Sequence, residues 1–340
     1  PYIETGASTA QAGILENTPR LDYSGGATCP SLLLEPSRTN QCSQSEYIGS
    51  IDWNQGGITR SLVITQTSEV NPEGSAICWK IQGTASDNQL ANNSSTNSGT
   101  TITNSVYVKR VSGTSNVLLR NVNNSDTSFS LSVADGWKRI DVTATATSAT
   151  ARFYLNLLDF NDEILVWGAQ QEIGSYPTSY IPTYGVSQTR AQDLCLGAGD
   201  ASTFNNLEGV LFLDINLNFP RPDLTTITLS DGTTNNQIDI RFYSTYFQIF
   251  IKNAFYQLNY NVLSISDFNK FAFYYNNGNS KVYINGTDYG NATYTGSFSG
   301  LNKFNLAWSS ATAPFHGDVN QVIYFPTALS DVELASLTTI

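Results

Sequence analysis

The sequence predicts an all-β fold, two tandem β-sandwiches preceded by an extended arm, and three observations carry that prediction. Apolar residues recur in short runs with period-two alternation, bounded by Gly, Asn, Asp and Ser turn signals. Aromatic residues make up 12% of the chain and charged residues only 13%, with Ser, Thr, Asn and Gly filling the polar positions; the 40% hydrophobic content is enough for packed cores and excludes disorder. Finally, an apolar run at Ile164–Trp167 leads into a segment carrying Pro177 and Pro182. Each proline fixes φ and removes a backbone donor, so the segment is extended and divides the 340 residues into two.

Residues 1–45 form the arm, with turn signals at Gly25–Gly26 and Cys29–Pro30 around one apolar strand, Leu32–Leu34. Residues 46–194 form the first sandwich. Its clearest strands are Ser61–Thr65, Ala76–Ile81, Ser105–Arg110 and Asn116–Arg120. Phe129–Val133 alternates, a turn follows at Asp135–Gly136, and Trp137–Thr143, Ala151–Leu157 and Ile164–Trp167 complete the set. Residues 195–204 are a linker. The second sandwich spans 205–340: Gly209–Leu217 is a strand, and Gln237–Phe242 and Phe247–Lys252 alternate with period two. Lys270–Tyr275 leads through Asn276–Asn277–Gly278 into Lys281–Gly286, a β-hairpin with Asn-Gly turn chemistry. Ser330, with Glu333 three residues on, is an N-cap for a short closing helix. No short-period repeat and no heptad is present.

The net charge of −11 and the absence of any Lys/Arg cluster exclude nucleic acid and an anionic membrane surface as partners, since both require a basic patch. No apolar run reaches transmembrane length, so no membrane insertion is expected. The chain has no Met, even at position 1, and is expected to follow an upstream part that carries an attachment region. Cys29, Cys42, Cys78 and Cys195 are widely spaced and there is a single histidine, His316, so free thiols are expected rather than a zinc site or disulfides.

Two strings resemble a known family. Pro19–Asn40 reads PRLDYSGGATCPSLLLEPSRTN and Trp167–Thr183 reads WGAQQEIGSYPTSYIPT. Such strings, in this order, resemble those of fibre, spike and tail proteins of bacteriophages, where the second closes a first sandwich similar to the jelly rolls of carbohydrate-binding modules and the arm packs onto that sandwich. The Lys281–Gly286 hairpin and the ending Phe315–Phe325 resemble the laminin-G and concanavalin-like lectin fold. The resemblance implies a virion adhesin that binds host-surface or environmental glycans, works as a homotrimer, and contacts other virion proteins through its upstream region. The alternatives are a secreted or cell-surface bacterial carbohydrate-binding protein, a purely structural virion decoration, and a glycan-degrading enzyme.

The enzyme reading requires chemistry that the sequence lacks. Glucanases of the concanavalin-like fold align acids as E-x-D-x-E on one strand, so that acid and nucleophile share a cleft. Here Leu211–Asn216 offers only Asp214, and Gln237–Arg241 only Asp239 beside an arginine. Asp159, Asp162 and Glu163 are the densest acidic cluster and read as a solvated turn before a buried strand. With one histidine and no G-x-S-x-G, Ser/His/Asp catalysis has no support; His316 reads as a structural hydrogen-bonding residue. No cofactor is required. A structural calcium ion, common in the resembling folds, has Asp135, Asp231 and the turn Asn71–Gly74 as candidate ligand sources, without a D-x-D-x-D loop.

Sugar binding needs flat aromatic faces beside amide or carboxylate partners. The second half of the chain is rich in both, with Tyr243, Tyr246, Phe250, Phe255, Tyr256, Tyr260, Tyr289 and Tyr294. Alternation along Ile238–Tyr243 buries the even positions and places Asp239, Arg241 and Tyr243 on an exposed face, with Gln248, Phe250 and Lys252 beside them. Asp239, Arg241, Tyr243 and Phe250 are therefore the candidate carbohydrate-binding residues. The other reading is that the tyrosines cover β surface or pack on a neighbouring subunit, with Arg241 simply pairing with Asp239. Trp53, Trp79 and Trp137 read as core.

Overall fold

A computed structural model of the chain describes residues 19–23, 29–53, 62–84, 88–120, 122–123, 126–217, 224–243, 246–252, 256–260, 269–295 and 297–340. The fold is all-β, with one α-helix, Asp331–Thr338, among the described residues. That helix is too short to cross a membrane. The chain forms two compact units, Ser37–Ala191 and the residues up to Pro36 together with Gln192–Ile340.

In the unit Ser37–Ala191, a five-stranded antiparallel sheet runs in the order Trp137–Thr145, Thr101–Ser112, Glu163–Ile173, Cys78–Gly83, Leu62–Thr67. A four-stranded sheet, Asn88–Ser95, Thr150–Leu157, Val117–Arg120, Asp126–Phe129, supplies the other layer. The core between them includes Trp53, Ile81, Val106, Val108, Leu119, Phe153, Leu155, Ile164 and Val166. The alternating residues Leu165 and Trp167 point the other way, where Trp167 stacks obliquely on Tyr180 (4.5 Å) and Tyr107 (5.4 Å). The ladder shifts register between Trp167 and Gln170. Gly168 sits in this irregularity at φ 65°, and a Cβ there would press on Tyr107 and Tyr180 at 3.2–3.3 Å, so glycine is the residue the bulge admits.

Both family-like strings turn out to hold buried joints. Asn40 is fully buried; its Nδ2 donates to the carbonyls of Ala169 (3.0 Å) and Ile181 (2.8 Å), and its Oδ1 accepts from the amides of Cys42 and Gln171 (3.1 Å each). Gln170 accepts from Ile181 N (2.7 Å), and Gln171 donates to Asn104 Oδ1 (2.8 Å). The Glu172 carboxylate, also fully buried, accepts from Thr178 N and Oγ1 and from Gln170, with Arg38 Nε at 3.6 Å. Burial pushes its pKa up, against those hydrogen bonds. The Pro177–Pro182 segment is thus fastened to strand Glu163–Ile173 as extended chain outside any ladder.

In the other unit, a seven-stranded sheet runs in the order Leu21–Asp22, Ser31–Leu34, Gly317–Phe325, Glu208–Leu217, Asn269–Asn276, Asn279–Ile284, Thr287–Thr293. A five-stranded sheet runs Tyr256–Tyr260, Phe247–Lys252, Gln237–Phe242, Thr225–Ser230, Lys303–Asn305. Phe242, Phe247, Phe271, Phe273, Tyr275 and Phe315 fill the space between them. Two Asn-Gly turns, Asn277–Gly278 (φ 43° and 86°) and Asn285–Gly286 (φ 48° and 80°), join the last three strands of the larger sheet. Both central residues at positive φ are the type I′ signature, which matches strand twist. The Ser330 hydroxyl accepts from Glu333 N, and the Glu333 carboxylate accepts from Ser330 N (2.8 Å), the reciprocal capping box expected at the helix start.

Several expectations are corrected. The arm does not lie on the first sandwich as one piece. Ser31–Leu34 pairs with Gly317–Phe325 in the C-terminal unit, and Arg20 there joins Glu35 (2.5 Å) and Asp193. Only Arg38–Asn40 pairs within the first sandwich, with Gln188–Arg190. The expected linker 195–204 belongs to the C-terminal unit, where Ala198 bridges to Phe304 and Leu306 N donates to Cys195 O (2.9 Å). The alternation at Phe129–Val133 gives a strand ending at Phe129 and then a 3₁₀ turn, Val133–Asp135, closed by Gly136 at φ 68°. Asp162 is no solvated turn residue: it is 2% exposed and pairs with the equally buried Arg110 at 3.2 Å. The turn at Gly25–Gly26 and residue Ser61 lie outside the described residues. All four cysteines are free.

Candidate functional site

The site is built on the five-stranded sheet of the C-terminal unit, on the face turned away from its core. Ile238, Ile240 and Phe242 enter the core, so period two sends Gln237, Asp239 and Arg241 to the other side. Register places Thr228 and Phe250 on either side of Asp239, and Thr226 and Gln248 on either side of Arg241. The parity expected from the sequence therefore holds, and it brings Asp239, Arg241 and Phe250 together.

Exposure does not follow the expectation. Asp239 is 0% exposed, because the segment after strand Lys303–Asn305 folds over it. Trp308 N donates to Thr312 O (2.9 Å), Ala311 N donates to Trp308 O (2.8 Å), and Thr226 N donates to Ala313 O (3.0 Å), which ties the segment to the sheet. Ala311 (φ 61°) and Ala313 (φ 47°) lie in the left-handed region, where a non-glycine residue is strained by roughly 1–2 kcal/mol. The surrounding bonds hold that strain in place.

Beneath Trp308 the Asp239 carboxylate accepts four hydrogen bonds: Thr228 Oγ1 on Oδ1 (2.9 Å), and Gln237 Nε2 (2.8 Å), Arg241 NH2 (2.9 Å) and Trp308 Nε1 (3.0 Å) on Oδ2. Gln237 in turn accepts from Ser309 Oγ (2.9 Å), which fixes its amide orientation. Burial pushes the Asp239 pKa up, and the hydrogen bonds from Arg241, Thr228 and Trp308 pull against it. The Arg241 guanidinium lies 4.2 Å from the Phe250 ring centre and 5.0 Å from the Trp308 ring, with its side chain 16% exposed. Its buried Nε has no hydrogen-bond partner among the described residues. The arginine is held between two aromatic faces by stacking and by its tie to Asp239.

At the end of the same hairpin, Tyr243 and Tyr246 stack at 4.5 Å and 16°, and Tyr243 N donates to Tyr246 O (2.8 Å). Both rings are partly exposed. Tyr294, a candidate from the sequence, is instead buried against Phe298 (5.7 Å) in the core; Tyr289 is 41% exposed on the strand Thr287–Thr293. Phe255 and the side chains of Lys252, Tyr256 and Tyr260 lie outside the described residues. Sequence reading missed Trp308. It stands alone after a three-residue strand, with no periodicity to aim it, and only the fold brings it to Asp239.

The calcium candidates are engaged in their own turns. Asp135 accepts from Ser132 N (2.7 Å) and pairs with Lys138 (3.2 Å), and the Ser132 bond holds its pKa below the usual carboxylate range. Asp231 accepts from Thr233 N and Oγ1, and Asn71 Oδ1 from the amides of Glu73 and Ser75. Among the described residues no group of three or more His, Cys, Asp or Glu side chains is placed to hold a metal ion.

No family model matches the chain, and no curated protein matches it in sequence. Among solved structures, the chain is similar to the CBM40 of an IT-sialidase from Ruminococcus gnavus bound to α2,3-sialyllactose (15% identity, 42% of this chain and 93% of that one, TM-score 0.36). It is similar to domain 4 of a GH43 extracellular arabinanase from Geobacillus stearothermophilus in complex with arabinotriose (18% identity, 45% and 73%, TM-score 0.34). It is also similar to domains LG4-5 of the mouse laminin α1 chain (8% identity, 96% of both chains, TM-score 0.30). At 8–18% identity and TM-scores of 0.30–0.36, these likenesses assign neither a family nor a role to the chain. By its own strands the chain is an all-β protein of two sandwiches, with a polar-aromatic cluster on the second.

Proposed function

We propose that the chain is a non-catalytic glycan-binding adhesin whose C-terminal sandwich takes the sugar at the rim of the Asp239–Arg241–Trp308 cluster. The observation that carries this is Arg241, pinned between Phe250 and Trp308 above a carboxylate with four donors. A guanidinium and aromatic edges held this rigidly lose little conformational freedom when a sugar docks, and the Tyr243–Tyr246 pair adds a flat surface at the end of the hairpin. The same geometry argues against hydrolysis. Glycosidases need two carboxyl groups flanking the bond, about 5–9.5 Å apart. Asp239 is flanked across the sheet by Thr228 and Phe250, and every bond it makes is structural.

The finer reading is a bacteriophage fibre or spike, carried on the virion, trimeric, and joined to other virion proteins through an upstream region. It is supported by the strings Pro19–Asn40 and Trp167–Thr183, and by avidity: one stacked sugar with water-competed hydrogen bonds binds weakly, and three sites on one axis compensate.

A glycan array read with the wild type, Tyr243→Ala and Trp308→Ala, each checked for folding by circular dichroism, tests the site. Binding that falls at least tenfold in both variants supports it. Undiminished binding by folded variants removes this face. Release of reducing ends from any polysaccharide would overturn the non-catalytic reading, and sedimentation of a strictly monomeric species from intact particles would overturn the trimer.

A further inference from the structure

The outer face of the seven-stranded sheet in the C-terminal unit carries a second organised surface. The strands Asn269–Asn276, Asn279–Ile284 and Thr287–Thr293 pair in register, Tyr274 with Lys281 and Lys281 with Asn291, then Asn276 with Asn279 and Asn279 with Thr293. Their neighbours Tyr275, Ser280 and Ala292 are buried on the other side. Period two therefore builds two rows of three side chains: Tyr274, Lys281, Asn291 and Asn276, Asn279, Thr293. The next row, Ala272 and Tyr283, is apolar and is covered by Leu334 of the helix Asp331–Thr338. The helix stops where the polarity changes, and Lys281 pairs with Asp331 at its first residue. The two polar rows stay open as a cleft of about 390 Å³, within the roughly 300–1,000 Å³ usual for small-ligand sites.

We infer that this cleft is a second glycan site, for neutral oligosaccharides; the inference rests on the reading of the chain as glycan-binding. The chemistry is that of a hydroxyl reader. Three asparagine amides and one threonine hydroxyl offer donors and acceptors side by side, which is what neighbouring sugar hydroxyls pair with. The side chains of Asn291 and Thr293 make no hydrogen bond among the described residues, so their capacity is unspent. Asn276 Oδ1 accepts from Asn277 Nδ2 (2.7 Å), which orients its own amide donor. The Lys281 charge is matched by Asp331 and its ammonium lies 5.7 Å from the Tyr274 ring centre, so the cleft has no spare cation for an acidic sugar. The net charge of −11 opposes polyanions further. The platform is rigid, because the Asn277–Gly278 and Asn285–Gly286 turns fix the register. A Cβ at Gly278 would meet Tyr294 O at 2.8 Å. Pairing of the sheet edge with another chain is opposed by the register shift at Val282–Tyr283 and by Asp288 on the outer strand.

The test uses the full chain, labelled with ¹⁵N in asparagine side chains, and titrated with maltohexaose, cellohexaose, laminarihexaose, mannohexaose and N-acetylchitohexaose, and separately with 3′-sialyllactose and trigalacturonate. Calorimetry on Asn279→Ala/Asn291→Ala and on Tyr243→Ala accompanies it; both substitute exposed or partly exposed side chains. At least one neutral oligosaccharide is expected to shift the Asn279 and Asn291 amides and to lose tenfold or more in affinity in the double variant while Tyr243→Ala retains that affinity. Binding that is lost only in Tyr243→Ala overturns this cleft and leaves the Arg241 face standing. Binding only of the acidic sugars also overturns it. If none of the probes binds the wild type, the cleft falls, and a glycan array then decides the wider reading separately.

Discussion

Asp318→Asn should stabilise the C-terminal unit at neutral pH and leave it unchanged in acid. Asp318 lies on strand Gly317–Phe325, in register with Leu33 of the arm strand on one side and Asn216 on the other. It is 8% exposed, and its Oδ1 has no hydrogen-bond partner among the described residues. The facing charges are of its own sign: Asp22 on the arm's first strand, and Glu35, which Arg20 already engages. Burial, then Asp22 and Glu35, push its pKa from 3.8 to about 6, with a hydrogen bond to Ser31 pulling the other way. The folded form therefore holds the proton more tightly than the unfolded form. Stability from this group is complete below pH 3.8 and is lost as pH rises to about 6. Discounted for solvent screening, a shift of this size corresponds to about 1–2 kcal/mol at neutral pH, which is about 2–8 °C in Tm for a unit of this length. An asparagine has the size of the protonated acid and no charge to desolvate. Calorimetry of wild type and variant from pH 4 to 8 should show coincident melting at pH 4 and a widening gap up to pH 6. Hydrogen exchange of the Ser31–Leu34 peptide assigns the transition to this unit. A gap that is the same at pH 4 and pH 8, or a variant that melts lower at pH 8, refutes the reasoning.

Three further expectations concern the first sandwich. Asn40→Ala removes four hydrogen bonds from a fully buried amide and should cost about 2–5 kcal/mol, read from the urea midpoint by tryptophan fluorescence; a loss under 1 kcal/mol would mean that water replaces the amide. Arg110→Met leaves Asp162 buried without its cation and should cost about 3–5 kcal/mol, with Arg110→Met/Asp162→Asn recovering a large part of it; a double variant less stable than the single one would show that the pair is not the origin of the loss. Gly113→Ala would drive a Cβ into Asp162 Oδ1 at φ 84°, so it should lower the thermal midpoint of the same unit more than Gly99→Ala, where φ is 87° and nothing lies within 4 Å of the new atom.

Where local chemistry decides the outcome, the sequence was legible. Period two along Gln237–Phe242 and Phe247–Lys252, the Asn-Gly turns and the Ser330–Glu333 cap all specify geometry within a few residues, and each is realised, whereas the alternation at Phe129–Val133 gives way to a turn. Strand Asn88–Ser95 was not legible, since its run of amides and hydroxyls has no apolar alternation. The arm shows a different limit. Leu32–Leu34 announces a strand, but which sheet receives it depends on Gly317–Phe325, near the other end of the chain, and no local pattern encodes that pairing. Similarly, alternation told correctly that Asp239 and Arg241 share a face, and could not tell that Trp308 would cover it.

The residues that made the chain resemble a family and the residues that form its candidate sites are different sets, and the physics explains why. Asn40, Gln170, Gln171 and Glu172 are almost entirely buried polar groups, each with several specific partners. A buried amide or carboxylate tolerates few replacements, because any other side chain strands donors and acceptors away from water. Such joints leave a readable string in the sequence. The open cleft at Asn279 and Asn291 is bound by no such demand, since both side chains are exposed and their exchange strands no buried donor or acceptor. A string of buried polar joints thus reflects how the chain is put together, while the proposed glycan contacts lie on exposed side chains that the architecture does not constrain. The Arg241 cluster lies between these cases: Asp239 and Trp308 are bound by the fold, and only the rim around them is open to a ligand. Substitutions that retune specificity should therefore fall at Tyr243, Tyr246, Asn279 or Asn291, and substitutions at Asp239 should register first as lost stability.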